Sequence, residues 1–263
     1  MRARRESRVV FSLALASALT GCGSDHDLIL GTNEFVLARR DDFNEIDFSY
    51  WERATHTFDD NLAWFTEANA IPQDGMLWLG ITKDQTPAVP EAGQTPKPYA
   101  AAELRTRVPF LYGRFRARVR MAPGVGVINA FWGFYDRYAA EDDVDNQIVT
   151  EGVSTPEHEL RYNVVVPENG PEPQTSELPF DPAESFHVVG YDWTPNEVRF
   201  YLDGVLGSAV TGDAVAALTE YQRLVLSAYP SRAGWVGAFD EAVLPVAAAY
   251  DWVEIYEYAG PRP

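Results

Sequence analysis

The chain has 263 residues, of which 46% are hydrophobic and 13% are aromatic. Its 39 acidic and 21 basic residues give a formal net charge of -18, which argues against a broad basic surface for nucleic acid. One large all-β domain can run to roughly 200 to 250 residues, and an acidic surface favours neutral or cationic partners over sulfated or uronate-rich polymers.

The first 21 residues have the pattern of an export signal. Four arginines within the first eight residues precede a short apolar run that ends in the letters LTGC at Cys22. The pattern resembles a bacterial lipoprotein signal, which implies cleavage before Cys22 and acylation of its thiol. We therefore expect a lipid-anchored protein of the cell envelope, on the outer membrane or the periplasmic face. Residues 22–40 are predicted to be a tether.

From residue 41 to residue 263, the sequence is typical of one all-β domain. Short β-rich runs alternate with Gly, Pro, Asn and Asp, as in a sandwich or jelly roll. Asp74-Gly75 and Asp203-Gly204 have the composition of tight turns. Residues 85–97 and 167–182 are predicted to be surface loops, and residues 213–220 are the one helical stretch. The predicted strands include 76–82, 113–121, 127–134, 185–192, 197–202, 223–228 and 250–258.

A further strand-like stretch, DVDNQIVTEG at residues 143–152, keeps acids and amides on one face. Side chains of a strand point alternately to its two faces. The shared face carries Asp143, Asp145, Gln147, Val149 and Glu151. Polar groups repeated on one face indicate either a lined cleft or an ordinary solvated face.

Six segments carry a resemblance to a known family. They are FNEIDFSYW (43–51), NLAWFTEANAIPQDGMLWLGIT (61–82), YAAAELRT (99–106), YGRFRARVRM (112–121), FHVVGYDWTPNEVRFYLDG (186–204) and YDWVEIY (250–256). They resemble glycoside hydrolase family 16, whose members cut β-glucans and β-galactans. The resemblance implies a β-jelly-roll sandwich of two curved antiparallel sheets, with a glycan cleft on the concave face and no required cofactor.

The same resemblance implies a Glu-x-Asp-x-Glu motif on the central strand, and here the chain departs from the family. Aligned without gaps, Glu151 takes the acid/base position, Val149 the middle position and Gln147 the nucleophile position. An alignment shifted by four residues puts Asp143 at the nucleophile position, Asp145 in the middle and Gln147 at the acid/base position. Either alternative replaces one catalytic carboxylate with an amide, which is a poor nucleophile and no acid. A loop carboxylate from Asp136, Glu141 or Asp142 is a further alternative for the nucleophile.

The resemblance also implies a set of sugar-binding residues. Flat rings stack on sugar faces, and polar side chains fix hydroxyl groups. An ion pair on a solvated surface is the alternative for Glu103 and Arg105. The matching positions are Asn61, Glu103, Arg105, Trp132, Phe134, Tyr229 and Trp235.

A structural calcium ion on the convex side is a further implication of the resemblance. The matching positions are Phe48, Gly75 and Asp251, of which only Asp251 has a charged oxygen, the kind of ligand that calcium prefers. The alternative is that Asp251 caps a turn.

Two functions follow from these residues. The first is a family 16 hydrolase acting on a neutral β-glycan, a β-1,3 or mixed-linkage glucan, with an incomplete carboxylate pair and hence weak or lost activity. The second is a non-catalytic β-glycan-binding envelope lipoprotein. In both cases we expect a monomer that does not bind nucleic acid.

Overall fold

The protein is described by a computed structural model that covers residues 34–83, 96–136, 144–154, 158–168 and 170–262. The predicted signal at residues 1–21, the acylation site Cys22, the tether up to residue 33, Glu141, Asp142 and Asp143 lie outside the described residues.

The described residues are dominated by strands. In MLWLGITK (76–83) buried and partly buried side chains alternate, whereas RLVLSAYP (223–230) is buried almost throughout. The strands are β1 (Phe35–Asp41), β2 (Trp51–Arg53), β3 (Ala63–Phe65), β4 (Ala70–Gln73), β5 (Met76–Lys83), β6 (Tyr99–Thr106), β7 (Gly113–Arg120), β8 (Val127–Phe134), β9 (Gln147–Val153), β10 (Glu159–Val165), β11 (Gln174–Glu177), β12 (His187–Trp193), β13 (Glu197–Leu202), β14 (Val205–Thr211), β15 (Arg223–Pro230) and β16 (Val246–Tyr258).

Helices are few and short in the described part of the chain. The α-helix α1 spans Asp213–Ala216, and 3-10 turns span Glu67–Asn69, Gly234–Val236 and Glu241–Val243. None of the described helices is long and apolar enough to cross a membrane.

The strands form a curved, almost entirely antiparallel sheet that folds back on itself. Its order is β11-β10-β9-β8-β15-β6-β5-β16-β7-β12-β13-β14, with β1 beside β16, β2 and β3 beside β6, and β4 beside β5. Only β3 and β6 pair in parallel. The half from β11 to β6 is here called the inner layer, and the half from β5 to β14 the outer layer. This architecture confirms the predicted all-β jelly roll.

The core lies between the two layers, where buried aromatic rings meet. Tyr191 of the outer layer and Phe131 of the inner layer have ring centroids 6.0 Å apart, and the rings of Tyr162 and Phe200 are 5.3 Å apart. Because side chains alternate along each strand, the other face of the inner layer is left to line a cleft.

Both predicted turns are present as hairpin turns. Asp74 and Gly75 have φ of 55° and 71°, and Asp203 and Gly204 have φ of 48° and 76°. Positive φ at both central residues suits the twist of the flanking strands, and aspartate and glycine tolerate it.

Several predicted boundaries differ from the structure. Residues 35–40, predicted as tether, belong to β1, because they pair with β16 from Phe35 opposite Tyr258 onwards. The predicted loop 167–182 contains β11, which pairs with β10. The predicted helix 213–220 is one turn long, and the strand predicted from residue 143 begins at Gln147.

Candidate active site

A cleft of about 960 Å³ crosses the inner layer on the face turned away from the core. Strands β6, β8, β9, β10 and β15 supply its floor, and the segment 55–60 supplies part of its wall. The residues of these strands that line the floor include Glu103, Arg105, Ala130, Trp132, Phe134, Gln147, Val149, Glu151, Arg161, Asn163 and Tyr229.

The register of three neighbouring strands arranges the floor in rows. Reading from β8 through β9 to β10, the rows are Ala130–Glu151–Arg161, Trp132–Val149–Asn163 and Phe134–Gln147–Val165. The three positions of the gap-free alignment therefore lie side by side on the cleft floor. Asp145 is not among the lining residues, and Asp143 lies outside the described part of the chain.

Glu151 is the titratable group at the centre of this floor. Burial raises the pKa of Glu151 to about 7, while the Arg161 guanidinium and the Tyr229 hydroxyl act in the opposite direction. A carboxyl with its pKa near 7 holds a proton in much of the population at neutral pH, which suits a general acid.

Gln147 and Val149 give the rest of the β9 face a neutral character. The Gln147 amide Nε2 donates a hydrogen bond to Asp145 Oδ1 at 2.6 Å. Val149 is 7% exposed and lies opposite Trp132, whose indole Nε1 is buried with no hydrogen-bond partner among the described residues. A carboxylate at position 149 would lie beside this N–H group.

Asp145 is poorly placed to supply a carboxylate in place of the Gln147 amide, because it lies six residues before Glu151, roughly 20 Å at about 3.3 Å per residue of strand. A retaining glycosidase needs its two carboxyl groups about 5 to 5.5 Å apart. Asp59, Asp60, Glu103 and Asp136 also line the cleft. Glu103 and Asp60 lie near enough to the Tyr229 hydroxyl, a partner of Glu151, to raise the pKa of Tyr229.

Glu103 forms a second buried carboxyl site, on β6. It is 2% exposed, and burial raises the pKa of Glu103 to about 8. The His56 Nε2 lies 3.9 Å from Glu103 Oε1, and burial together with Arg105 lowers the pKa of His56 to about 4. At neutral pH both groups are therefore mostly uncharged, and protonated Glu103 can donate a hydrogen bond to a ligand.

Arg105 forms a cross-strand ion pair, as the alternative to sugar binding expected, but its partner is Glu52 and not Glu103. Its Nε donates to Glu52 Oε1 at 2.6 Å, and Arg223 and Arg107 bind the same carboxylate. The sequence could not reveal Glu52 as the partner, because β2 and β6 meet only through the fold.

The remaining predicted binding residues divide into two groups. Trp132, Phe134, Tyr229 and Trp235 line the cleft. Asn61 does not line the cleft. It is fully buried, and its Oδ1 accepts a hydrogen bond from the Ala63 backbone N–H at 2.8 Å.

Sequence reasoning missed many of the cleft residues, among them His56, Phe58 and Arg161. His56 and Phe58 lie between two of the segments that carry the family resemblance, 43–51 and 61–82, and Phe58 keeps 36% exposure at the cleft. Arg161 lies two residues before Asn163 in LRYNVV, so the period of two along a strand could have placed it on this face.

The predicted calcium positions do not fit a cation. The Asp251 Oδ2 accepts a hydrogen bond from Arg118 at 2.5 Å, and the Phe48 carbonyl accepts one from Arg107 Nε at 2.8 Å. Guanidinium groups thus bind oxygens at two of the three predicted ligand positions. Within the described ranges no group of three or more His, Cys, Asp or Glu could hold a metal ion.

The fold and cleft can be compared with known proteins. A model of the family described as Glycosyl hydrolases family 16 matches residues 58–253. A β-glucanase of Fibrobacter succinogenes is 31% identical over 172 residues, which are 62% of this chain and 48% of that protein. A β-glucanase of Brevibacillus brevis is 27% identical over 221 residues, 80% of this chain and 78% of that protein. The chain thus spans about half the length of the Fibrobacter protein.

Solved structures agree with the fold. A β-1,3-1,4-glucanase (lichenase) derived from a mouse hindgut metagenome has a TM-score of 0.72 at 25% identity, covering 85% of this chain and 100% of that one. The catalytic domain of an endo-1,3-β-glucanase (laminarinase) from Thermotoga petrophila has a TM-score of 0.76 at 19% identity, covering 87% and 100%. Because the family model spans most of the sequence and the jelly roll accords with it, the chain belongs to glycosyl hydrolase family 16.

Proposed function

We propose that the protein binds a neutral β-glucan, of β-1,3 or mixed linkage, across the cleft and hydrolyses it weakly or not at all. The relatives named above as β-glucanases support the choice of ligand. The lining also suits a neutral sugar chain, since Trp132 and Phe134 offer flat rings and Glu103 carries a proton at neutral pH.

The observation that carries the proposal is the amide of Gln147 on the cleft floor, four residues before Glu151. A retaining glycosidase uses one carboxylate to form the glycosyl-enzyme and a second carboxyl to protonate the leaving oxygen. Glu151 can give that proton. Gln147 cannot form the covalent intermediate, because an amide is uncharged and far less nucleophilic than a carboxylate.

Of the two outcomes, weak hydrolysis and none, weak hydrolysis is favoured by the raised pKa of Glu151. A general acid alone still assists departure of the leaving group, with an effect of about 10² to 10⁴-fold in ordinary enzymes. Such activity would disappear in a Glu151→Gln variant, whereas binding would persist.

Affinity electrophoresis in gels containing laminarin or lichenan tests the proposal. We expect the wild type to be retarded by at least one neutral glucan, with little or no release of reducing sugar. Trp132→Ala should abolish the retardation, and Tyr221→Ala, which removes an aromatic side chain 53% exposed and outside the cleft, should not. Free migration of the wild type in both gels would contradict the proposed function.

We also propose that the protein is held in the cell envelope by an acyl chain on Cys22, as the leader pattern of the sequence indicates. Mass spectrometry of the exported protein should find a mature N-terminus at a modified Cys22. An unmodified cysteine in an otherwise processed protein would contradict the lipid anchor.

A further inference from the structure

One cation of the cleft floor has no carboxylate within ion-pair distance among the described residues. Arg161 lies opposite Glu151 on β10 and lines the cleft, partly buried. Its guanidinium carbon is 4.9 Å from the centroid of the Trp235 ring. Stacking on an aromatic ring fixes the plane of a guanidinium and thus the direction of its N–H groups.

The other arginines around the floor are neutralised, which makes Arg161 the exception. Arg105 and Arg223 both bind the carboxylate of Glu52. For Arg161, no carboxylate of the described residues lies within the 4.0 Å of an ion pair. Its acidic neighbour is Glu151, whose carboxyl carries a proton in much of the population at neutral pH because its pKa is about 7.

A partly buried cation whose neighbouring carboxyl is only partly ionised recovers little of its lost hydration through its N–H groups. An anionic ligand group that accepts hydrogen bonds from the fixed N–H fork would recover this loss, and a carboxylate matches the fork in a bidentate manner. The side-chain amide of Asn163, two residues further along the same strand face, lines the cleft beside it and can add a donor.

The charge of the surroundings limits how much negative charge such a ligand can carry. Asp59, Asp60 and Asp136 line other parts of the cleft, and the whole chain has a net charge of -18. A densely charged polymer would be repelled by these groups over about a Debye length, roughly 10 Å at 0.1 M salt. A single carboxylate would meet far less of this repulsion than a densely charged polymer, because the repulsion grows with the charge that the ligand carries.

We propose that Arg161, held flat on Trp235, forms a binding site for a single carboxylate carried by an otherwise neutral β-glycan. The inference rests on the proposed function, because it assigns one subsite of the glucan-binding cleft. The ligand class is thus a β-glucan bearing sparse acidic groups, such as a glucuronate residue or an acidic substituent.

The test compares two polymers that share one backbone. A soluble β-1,3-glucan is used as it is and after light oxidation of its primary hydroxyls to carboxylates, and binding to each is measured by titration calorimetry. We expect the wild type to bind the oxidised polymer about tenfold more tightly, the size of one charge-assisted hydrogen-bonded contact.

Three variants identify the source of the preference. Arg161→Gln should bind the oxidised polymer no more tightly than the neutral one, and Arg161→Lys, which keeps the charge but not the fork, should retain only part of the preference. Arg199→Gln is the matched control: Arg199 is a surface residue outside the cleft lining, paired with Glu197 at 3.0 Å, and its loss should change neither affinity.

Three results would contradict the inference, each in a different way. Equal affinity of the wild type for both polymers would overturn the carboxylate site while leaving the proposed function intact. An Arg161→Gln protein that is folded by circular dichroism and has lost both affinities equally would show that Arg161 does not select for charge. A wild type that binds neither polymer would defeat this inference and the proposed function together.

Discussion

At the scale of single residues, the proposed function rests on two positions of one strand face. Glu151 faces the cleft with a pKa of about 7, and Gln147 stands on the same strand face where the family resemblance implies a nucleophile. Val149, between them on that face, lies opposite Trp132, whose buried indole N–H has no hydrogen-bond partner among the described residues. These side chains set what chemistry the site can perform.

Glu103 should make stability fall as pH rises. Its pKa is about 8 in the folded protein and about 4.3 in an unfolded chain, so the folded state holds a proton that the unfolded state has lost between those values. The stabilisation is complete below about pH 4 and is lost as pH rises through about 8. The Gln side chain of Glu103→Gln cannot ionise. Above pH 8 we therefore expect the free energy of unfolding of this variant to exceed that of the wild type by about 1–2 kcal/mol, which appears as a higher unfolding temperature.

Thermal unfolding followed between pH 5 and 9 measures this effect. Glu151→Gln should flatten the same curve over a narrower range, up to about pH 7. If Glu103→Gln and the wild type lose stability in parallel across the whole range, Glu103 is ionised in the folded protein and the assignment fails.

At the scale of strands, the sequence predicts what depends on local pattern and misses what depends on partners. Alternation places β5, β8 and β13 within a residue or two of their observed ends. It also places Gln147, Val149 and Glu151 on one face. The polar strand β11 could not be found in this way, because pairing with β10 defines it and its own four residues, QTSE, do not.

The four arginines of β7 illustrate the same limit. Their shared face is visible in the sequence, but their partners come from distant strands. Asp192 of β12 binds Arg114 through both oxygens at 2.9 Å and Arg116 at 2.6 Å, all three buried. Asp251, the extra residue of a bulge in β16, binds Arg118 near the surface.

Removing the two aspartates should have unequal effects. Asp192→Ala leaves two buried guanidinium groups without a counter-ion, which costs about 3–5 kcal/mol. Asp251→Ala breaks a pair whose side chains are 36% and 33% exposed, which costs about 0–1 kcal/mol. Urea unfolding of both variants measures the difference. Equal losses would contradict the burial of the Asp192 cluster.

The arginine contacts at Asp251 and Phe48 also predict that calcium does not change the melting temperature of the protein. Since guanidinium groups occupy these two oxygens, an added cation has no set of ligands at the predicted position. We expect the same melting temperature in calcium and in a chelator. A rise of several degrees on adding calcium would mean that other oxygens of the protein hold the ion.

At the scale of the whole molecule, the fold class and the family could be predicted from the sequence, since the segments that carry the resemblance span most of the domain. The state of the cleft could not. Protonation of Glu103 and Glu151 depends on burial. Which strands become neighbours decides that Arg105 binds Glu52, and also that Arg161 has no carboxylate within ion-pair distance among the described residues. Burial of Asn61 likewise depends on a loop contact and not on strand period.

The net charge of -18 predicts that affinity falls as the density of negative charge on the ligand rises. A neutral glucan should bind better than a heavily sulfated galactan such as carrageenan. Added salt should narrow the gap, because screening shortens the reach of the repulsion. Affinity electrophoresis at two salt concentrations measures both effects. Retardation by the sulfated polymer alone would reverse the order.

The central claim is that the cleft binds a β-glucan and lacks only the carboxylates of β9 for hydrolysis. Replacing Gln147 by glutamate restores a carboxyl four residues from Glu151, and replacing Val149 by aspartate places a carboxylate beside the unpartnered indole of Trp132. The assay follows reducing sugar and the anomeric configuration of the product by NMR.

We predict that Gln147→Glu with Val149→Asp gains measurable endo-hydrolysis of a β-glucan with retention of configuration, and that adding Glu151→Gln removes the gain. A wild type that already hydrolyses glucan at an ordinary rate, and still does so after Glu151→Gln, would contradict the account, because the chemistry would then lie elsewhere.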